Sequence, residues 1–261
     1  MAEFFGATLS IVATNEVEDT RGYEAFISGV ASRMGLGQAV DSPGTTVVPA
    51  NDRSGSSMVV AYWISEHTVL WCDPAIADEL AELADPTTSK SQGEISSWAA
   101  LVGWEAVSFA RMQLLRASGV VPATASSVVL RALDRERVDD VALVNTFKAT
   151  LSDEDRDEAD LDGDLLDEHM LAVVDERGIV AFASQQPALY ADGFGDIAIA
   201  TRPDARGRGI GRIAVAALCD EIEARGLFPL YRCDEANPAS LTLSASLGFV
   251  PVVRVLACKR P

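Results

Sequence analysis

Two spacings of apolar residues alternate along the chain and predict a mixed helix–strand order. From Thr20 to Met34 the apolar positions Tyr23, Phe26, Val30 and Met34 recur every three or four residues, which predicts an amphipathic helix. Ser57 to Ile64 and His67 to Cys72 are short runs rich in Val and Trp, with Ser65 and Glu66 between them, and predict paired strands. Asp73-Pro74 supplies a cap and a first-turn proline for a helix running to Leu83. A polar loop follows from Pro86 to Gly93, and the apolar run from Ile95 to Arg116 predicts one long buried helix. Val121 to Ser127 is small and proline-marked, the composition of a linker. Beyond it the pattern predicts a strand (Val128 to Ala132), a helix (Glu136 to Thr150), an acidic loop, and a hairpin pairing Met170 to Val174 with Ile179 to Ser184. A strand from Asp196 to Thr201, a glycine-rich turn and a helix to Arg225 come next. Strand Phe228 to Cys233, helix Pro238 to Leu247 capped by Asn237, and strand Val250 to Leu256 end the order.

Composition narrows the class. The 261 residues are 48% hydrophobic and 23% charged, which excludes wholesale disorder and fits two modest domains, 1–123 and 127–261. Lys and Arg number 21 against 39 Asp and Glu, a net charge of −18. Counted to either side of Ala123, 6 basic and 15 acidic residues precede it and 15 and 24 follow, so each half carries −9. A uniformly negative field repels nucleic acid and anionic membranes, so neither is an expected partner. It suits a cationic partner, or simply an acidic cytoplasmic protein. The first basic residue is Arg21, so no secretory signal is expected, and the most apolar stretch, Trp98 to Leu115, is interrupted by Gly103, Glu105 and Arg111. Cys72, Cys219, Cys233 and Cys258 are scattered and read as buried reduced thiols. His67 and His169 are too few and too distant for a zinc cluster, so no metal is expected.

The informative stretch is Thr201-Arg202-Pro203-Asp204-Ala205-Arg206-Gly207-Arg208-Gly209-Ile210-Gly211-Arg212, a strand end feeding a turn with three alternating glycines and then a helix. Glycine lacks Cβ, so backbone can approach a ligand and several N–H groups can converge. The first N–H groups of the helix have no internal acceptor, and its dipole favours an anion there. Arg206, Arg208 and Arg212 add positive charge, which together makes a diphosphate cradle. The G-x-G-x-G spacing is neither the dinucleotide G-x-G-x-x-G nor a P-loop.

These residues resemble the GNAT superfamily of acetyl-CoA-dependent N-acetyltransferases. Its Arg/Gln-x-x-Gly-x-Gly/Ala signature falls on Arg206, Gly209 and Gly211, with Thr201-x-Pro203 leading in and Asn237-Pro238-Ala239-Ser240 and Leu247-Gly248-Phe249 following. The resemblance covers Val128 to Ala257. It implies an α/β fold with a GNAT acyl-CoA N-acyltransferase domain in the second half, beside a smaller, degenerate GNAT-like first half that covers the acceptor site or forms a homodimer. The first half has no such motif of its own: Ser32 to Gly37 reads as a helix end and turn.

The resemblance further implies acetyl-CoA as donor and an amine, of a small molecule rather than a protein, as acceptor. The diphosphate would lie on Gly207, Arg208, Gly209, Ile210, Gly211 and Arg212 with Arg206, and the pantetheine beside Ile199, Ala200 and Thr201, with Asn237 and Ser240 contacting it. The family's base, a glutamate on the fourth strand, aligns with Gly195, one residue before Asp196; alternation turns Asp196 to the other face, so it is either the base or a polar strand-start residue. The family's leaving-group acid, a tyrosine, aligns with Ser244, which at best donates a hydrogen bond. Tyr231 and Tyr190 are substitutes. The departures at Gly195 and Ser244 keep open a second class: a non-catalytic acyl-CoA-binding sensor. The acidic run from Ser152 to Asp164 could attract a cationic amine or be a solvated loop; it lacks the glycine and terminal glutamate of a calcium loop. Glu66 and His67 reach the acceptor only if the first half folds over it.

Overall fold

The computed structural model describes residues 20–119, 128–161, 169–188 and 191–260. In chain order these form α1 (Tyr23–Arg33), β1 (Gly44–Pro49), β2 (Met58–Ile64), β3 (His67–Cys72), the short α2 (Ala77–Leu80), α3 (Gln92–Leu101) and β4 (Glu105–Leu115). Then follow β5 (Val129–Leu133), α4 (Val138–Lys148), α5 (Asp153–Glu158), β6 (His169–Asp175), β7 (Gly178–Pro187), β8 (Phe194–Thr201), α6 (Ile210–Ala224), β9 (Phe228–Asp234), α7 (Pro238–Leu247) and β10 (Phe249–Lys259).

All ten strands lie in one sheet, ordered β1-β3-β2-β10-β4-β9-β8-β7-β6-β5. Among the described residues, only β1/β3 and β8/β9 pair in parallel. Strand β4, from the first half of the sequence, is inserted between β9 and β10 of the second, so the two halves share one hydrogen-bonded ladder.

Side-chain alternation divides the core between the two faces of this sheet. Ala181 and Ala183 of β7 pack under α6 with Leu218 and Ile222, whereas Phe182 between them meets Phe147 and Val144 of α4. On β2, Val60 and Tyr62 join Phe26 and Val30 of α1, while Val59 and Ala61 join Ile95 and Trp98 of α3. Thus α3, α6 and α7 cover one face and α1 and α4 the other. Each fully buried Leu or Ile in these layers contributes about 1.5–3 kcal/mol relative to exposure.

One predicted element changes type. The stretch expected as a single helix from Ile95 to Arg116 is α3 followed by β4. Gly103, at φ 75°, ends the helical turn after Leu101. The following residues then pair on both sides, Glu105 to Leu115 with β10 and Ala110 to Leu114 with β9. A run with apolar residues on both faces satisfies a central strand as well as a buried helix, and the two available strand edges decide it. The acidic stretch expected as loop begins with α5, opened by a reciprocal cap between Ser152 and Asp155. Asp73 caps as expected, its side chain accepting from the Ala75 N–H, but the helix behind it breaks into 3-10 and α turns. The Ser32 to Gly37 segment is the end of α1 and a turn through Gly35, as expected. The linker, Tyr190 and the end of the acidic run lie outside the described residues.

Candidate active site

Strands β8 and β9 pair from Phe194–Phe228 to Ile197–Tyr231 and then part. A cleft of about 550 Å³ opens where they diverge, lined by Ile197 to Thr201 of β8, Tyr231 and Arg232 of β9, and the beginnings of α6 and α7. Main-chain groups on the β9-facing edge of β8 lose their strand partner at this point, a geometry that suits an extended ligand.

The glycines of the turn each answer a local demand. Gly207 and Gly209 both have φ 73°, the left-handed region where a Cβ is penalised. A Cβ on Gly211 would lie 2.9 Å from Thr201 Oγ1, so glycine lets the first turn of α6 rest against the end of β8. No side chain caps α6, and its first turn holds no acidic residue. The resulting amides and the positive end of a fifteen-residue helix therefore border the cleft with no carboxylate of their own turn against them. Arg202 fixes the approach to this turn: buried, it bonds Asp204 at 2.6 Å, Asp175 at 2.7 Å and the Ile179 carbonyl at 3.3 Å. Its guanidinium holds both carboxyls below their ordinary range. Nothing local in the sequence marks Arg202 for this role, because its partner Asp175 lies 27 residues earlier.

Of the residues expected at the donor site, Ile199, Ala200, Thr201, Arg206, Gly207, Gly209, Ile210, Gly211, Arg212, Asn237 and Ser240 line the cleft. Arg208 belongs to the same turn but stands exposed, outside the lining. Arg206 donates from Nε to the Thr201 carbonyl at 3.1 Å and pairs with Asp155 of α5 at 2.7 Å. Asn237 caps α7, its Oδ1 accepting from the Ser240 N–H at 2.9 Å, while its Nδ2 donates to Glu158 of α5.

Asp196 is 5% exposed. Gly195 points the other way: a Cβ there would meet Gln185 and Ile222 of the α6 layer at 3.0–3.1 Å. The position aligned with the family's glutamate is thus filled by core, and Asp196 occupies the opposite face beside Arg232, 3.4 Å from its Nε. Burial pushes the Asp196 carboxyl up to about 6, with Arg232 partly offsetting it. Arg232 lines the cleft and also contacts Asp160 at 3.3 Å.

Ser244 is fully buried and does not line the cleft. Its hydroxyl lies 3.1 Å from Gln113 Oε1 of β4 and 3.1 Å from the Leu241 carbonyl, and Gln113 donates in turn to Cys233. Tyr231 does line the cleft, at the last paired position before the strands part, with its hydroxyl 2.9 Å from Ser240 Oγ. Burial pushes this phenol up, so it stays protonated. His67 is buried within the first half, bonded to Thr46 and the Ser42 carbonyl. The four cysteines are buried and free, and burial raises Cys233 to about 11, which leaves it unsuited to act as a thiolate nucleophile.

Residues 171–254 match the family model described as GNAT acetyltransferase. Among solved structures, the chain is similar to a GCN5-related N-acetyltransferase from Kribbella flavida, at 17% identity and TM-score 0.48 over 64% of this chain and 63% of that one. It is also similar to a putative GNAT-family acetyltransferase from Novosphingobium aromaticivorans, at 19% identity and TM-score 0.44 over 61% and 68% of the two chains. A third similarity is to a GNAT-family acetyltransferase from Colwellia psychrerythraea, at 13% identity and TM-score 0.45 over 74% and 76%. No curated protein gives a significant match.

Proposed function

Taking as premise that this chain belongs to the GNAT acetyltransferase superfamily through residues 171–254, we propose that it transfers the acetyl group of acetyl-CoA to an amine of a small molecule. The observation that carries this reading is the strand-parting cleft bordered by the uncapped start of α6 and lined by Gly207, Gly209 and Gly211. In this reading the main-chain amides of that turn and Arg206 take the donor's diphosphate, while the open edge of β8 and Asn237 take its pantetheine arm. A main-chain N–H near Ile199 or Ala200 stabilises the oxyanion that forms when the amine attacks the thioester carbonyl.

Attack needs a neutral amine. Asp196 does not itself line the cleft but lies one residue before β8 and β9 part, beside Arg232, which does; ionised at neutral pH yet holding a proton more tightly than an ordinary aspartate, it suits a base reached from the cleft at that point. The amine nitrogen bonds the acyl carbon as the carbon–sulfur bond breaks, the amine's proton passes to Asp196, and the thiolate leaves. Ser244 is turned into the core, away from the cleft, so in this reading the departing thiolate takes hydrogen bonds from the Tyr231 and Ser240 hydroxyls at the cleft wall. The acidic composition and free buried thiols support a cytoplasmic setting.

A binding-only sensor is favoured by one observation, the Arg232 side chain paired with Asp196. Calorimetric titration with acetyl-CoA, together with thiol release across an amine panel, separates the two. Binding that Arg206→Ala weakens at least tenfold, with turnover on some amine, supports the transferase. Binding without turnover on any amine supports the sensor, and no binding rejects both.

A further inference from the structure

Helix α5 lies at the mouth of the cleft, and its two inward carboxylates occupy groups that the proposed donor needs. We propose that α5 is a latch on this cleft: Asp155 and Glu158 hold Arg206 and Asn237, and the donor enters only by displacing them. The inference rests on the acyl-CoA reading of the cleft and adds to it a device that sets donor affinity.

Asp155 and Glu158 are three residues apart, hence on one side of the helix, and both line the cleft. Each latched group is doubly tied. Arg206 gives Nη2 to Asp155 but keeps Nε on the Thr201 carbonyl of its own turn. Asn237 gives Nδ2 to Glu158 but keeps Oδ1 on the Ser240 N–H of its own helix. Release of α5 therefore leaves both groups anchored in the cleft and free to bind. Asp155 is likewise shared, with Oδ1 on Arg206 and Oδ2 accepting from the Ser152 hydroxyl at 2.7 Å.

The latch is also electrostatically loaded against an anion. Within α5, Asp153, Glu154, Asp155, Asp157 and Glu158 stand against the single base Arg156. Glu158 sits above its ordinary range because it is buried and because Glu154, Asp234 and Asp155 crowd it, so its contact with Asn237 is held at a cost. A diphosphate at the start of α6 meets Asp155 as a like charge until α5 swings away, and its bonds to the freed Arg206 offset that displacement.

The test is calorimetric titration of CoA into the full chain and its Asp155→Asn, Glu158→Gln and doubly substituted forms, at one ionic strength. Asp153→Asn serves as control: it removes the same charge from the same helix, but Asp153 is bonded to Arg156 and does not line the cleft. In parallel, the rate of phenylglyoxal modification of Arg206 is read by peptide mass without CoA. Asp155→Asn is expected to bind CoA about two- to five-fold tighter, the range for breaking a partly exposed ion pair, and Glu158→Gln, which weakens a charge-assisted hydrogen bond to an amide, about twofold tighter, with the control unchanged. Arg206 is expected to react faster in Asp155→Asn. Wild-type binding that the latch variants leave equal or weaken, or that the control tightens as much, overturns the latch and leaves the acyl-CoA reading standing. An unchanged Arg206 rate also overturns the latch. Failure of every form to bind CoA rejects the reading of the cleft, and the latch with it.

Discussion

Asp196→Asn separates the two roles a buried carboxylate can have. With the folded-state carboxyl at about 6 against a reference of 3.8, the folded chain binds this proton more tightly than the unfolded chain. The contribution to stability is then fully present below the unfolded value and is lost as pH rises through about 6. The gap of roughly 2 units corresponds to about 3 kcal/mol lost by neutral pH, and about half of that loss develops between pH 5 and 7.5. Asparagine cannot ionise, so its stability relative to wild type should climb by about 1 kcal/mol over that interval. Its unpairing of Arg232 from Asp196 is softened by the contact Arg232 keeps with Asp160. The assay is urea unfolding of both proteins at pH 5 and 7.5, paired with the pH dependence of thiol release. A base at this position also requires that the rate of wild type rise through about 6 and that Asp196→Asn lose this limb. A stability difference that does not change with pH refutes the burial argument. An active Asp196→Asn enzyme with an unaltered pH profile refutes the catalytic one.

The glycine turn and the shared sheet give two more tests. Gly209→Ala places a Cβ at φ 73° and should cost about 1–2 kcal/mol by thermal or urea unfolding. Gly211→Val drives a side chain into Thr201, 2.9 Å from the glycine's Cβ position, and should weaken CoA binding more than tenfold in calorimetry; undiminished binding would place the ligand elsewhere. Deleting residues 1–119 removes β4 and bares the edges of both β9 and β10. The fragment should aggregate or lose cooperative melting by circular dichroism and size exclusion, and a folded monomeric fragment would contradict the shared-sheet account.

What could be read from the chain depended on how local its cause was. The turn at Gly207 to Gly211, the cap at Asn237 and the hairpin through Gly178 are set by glycine conformation and short-range hydrogen bonds, so their residues announce them. The strand nature of Glu105 to Leu115 is set by β9 and β10, whose residues lie more than a hundred positions later, and nothing within the segment carries that information. The same distinction holds inside the cleft. Alternation correctly assigned Gly195 and Asp196 to opposite faces, but which face held the core depended on Ile222 of α6. Ser244 was placed by its alignment, yet the partner that buries its hydroxyl, Gln113, comes from the other half of the chain. The contacts of Asp155 with Arg206 and Glu158 with Asn237 likewise join an acidic stretch to residues 51 and 79 positions away.

The inserted strand explains why a cleft exists at all. On its β8 side, β9 is released after Tyr231; on its other side it stays bonded to β4 from Leu230 through Asp234. The divergence of β8 and β9 thus needs a strand that holds β9 while β8 continues toward the glycine turn, and β4 is that strand. Side chains reinforce the hold at the free end of β9: Ser108 of β4 donates to Asp234 at 2.9 Å, and Arg111 of β4 and Arg254 of β10 both bond Glu235, at 2.8 and 3.3 Å. Asn237 begins α7 two residues later, so the position of the cap that borders the cleft is inherited from these clamps. A motif confined to the second half of the sequence therefore opens through a strand contributed by the first, which is why the first half can lack any such motif and still be required for the site's shape.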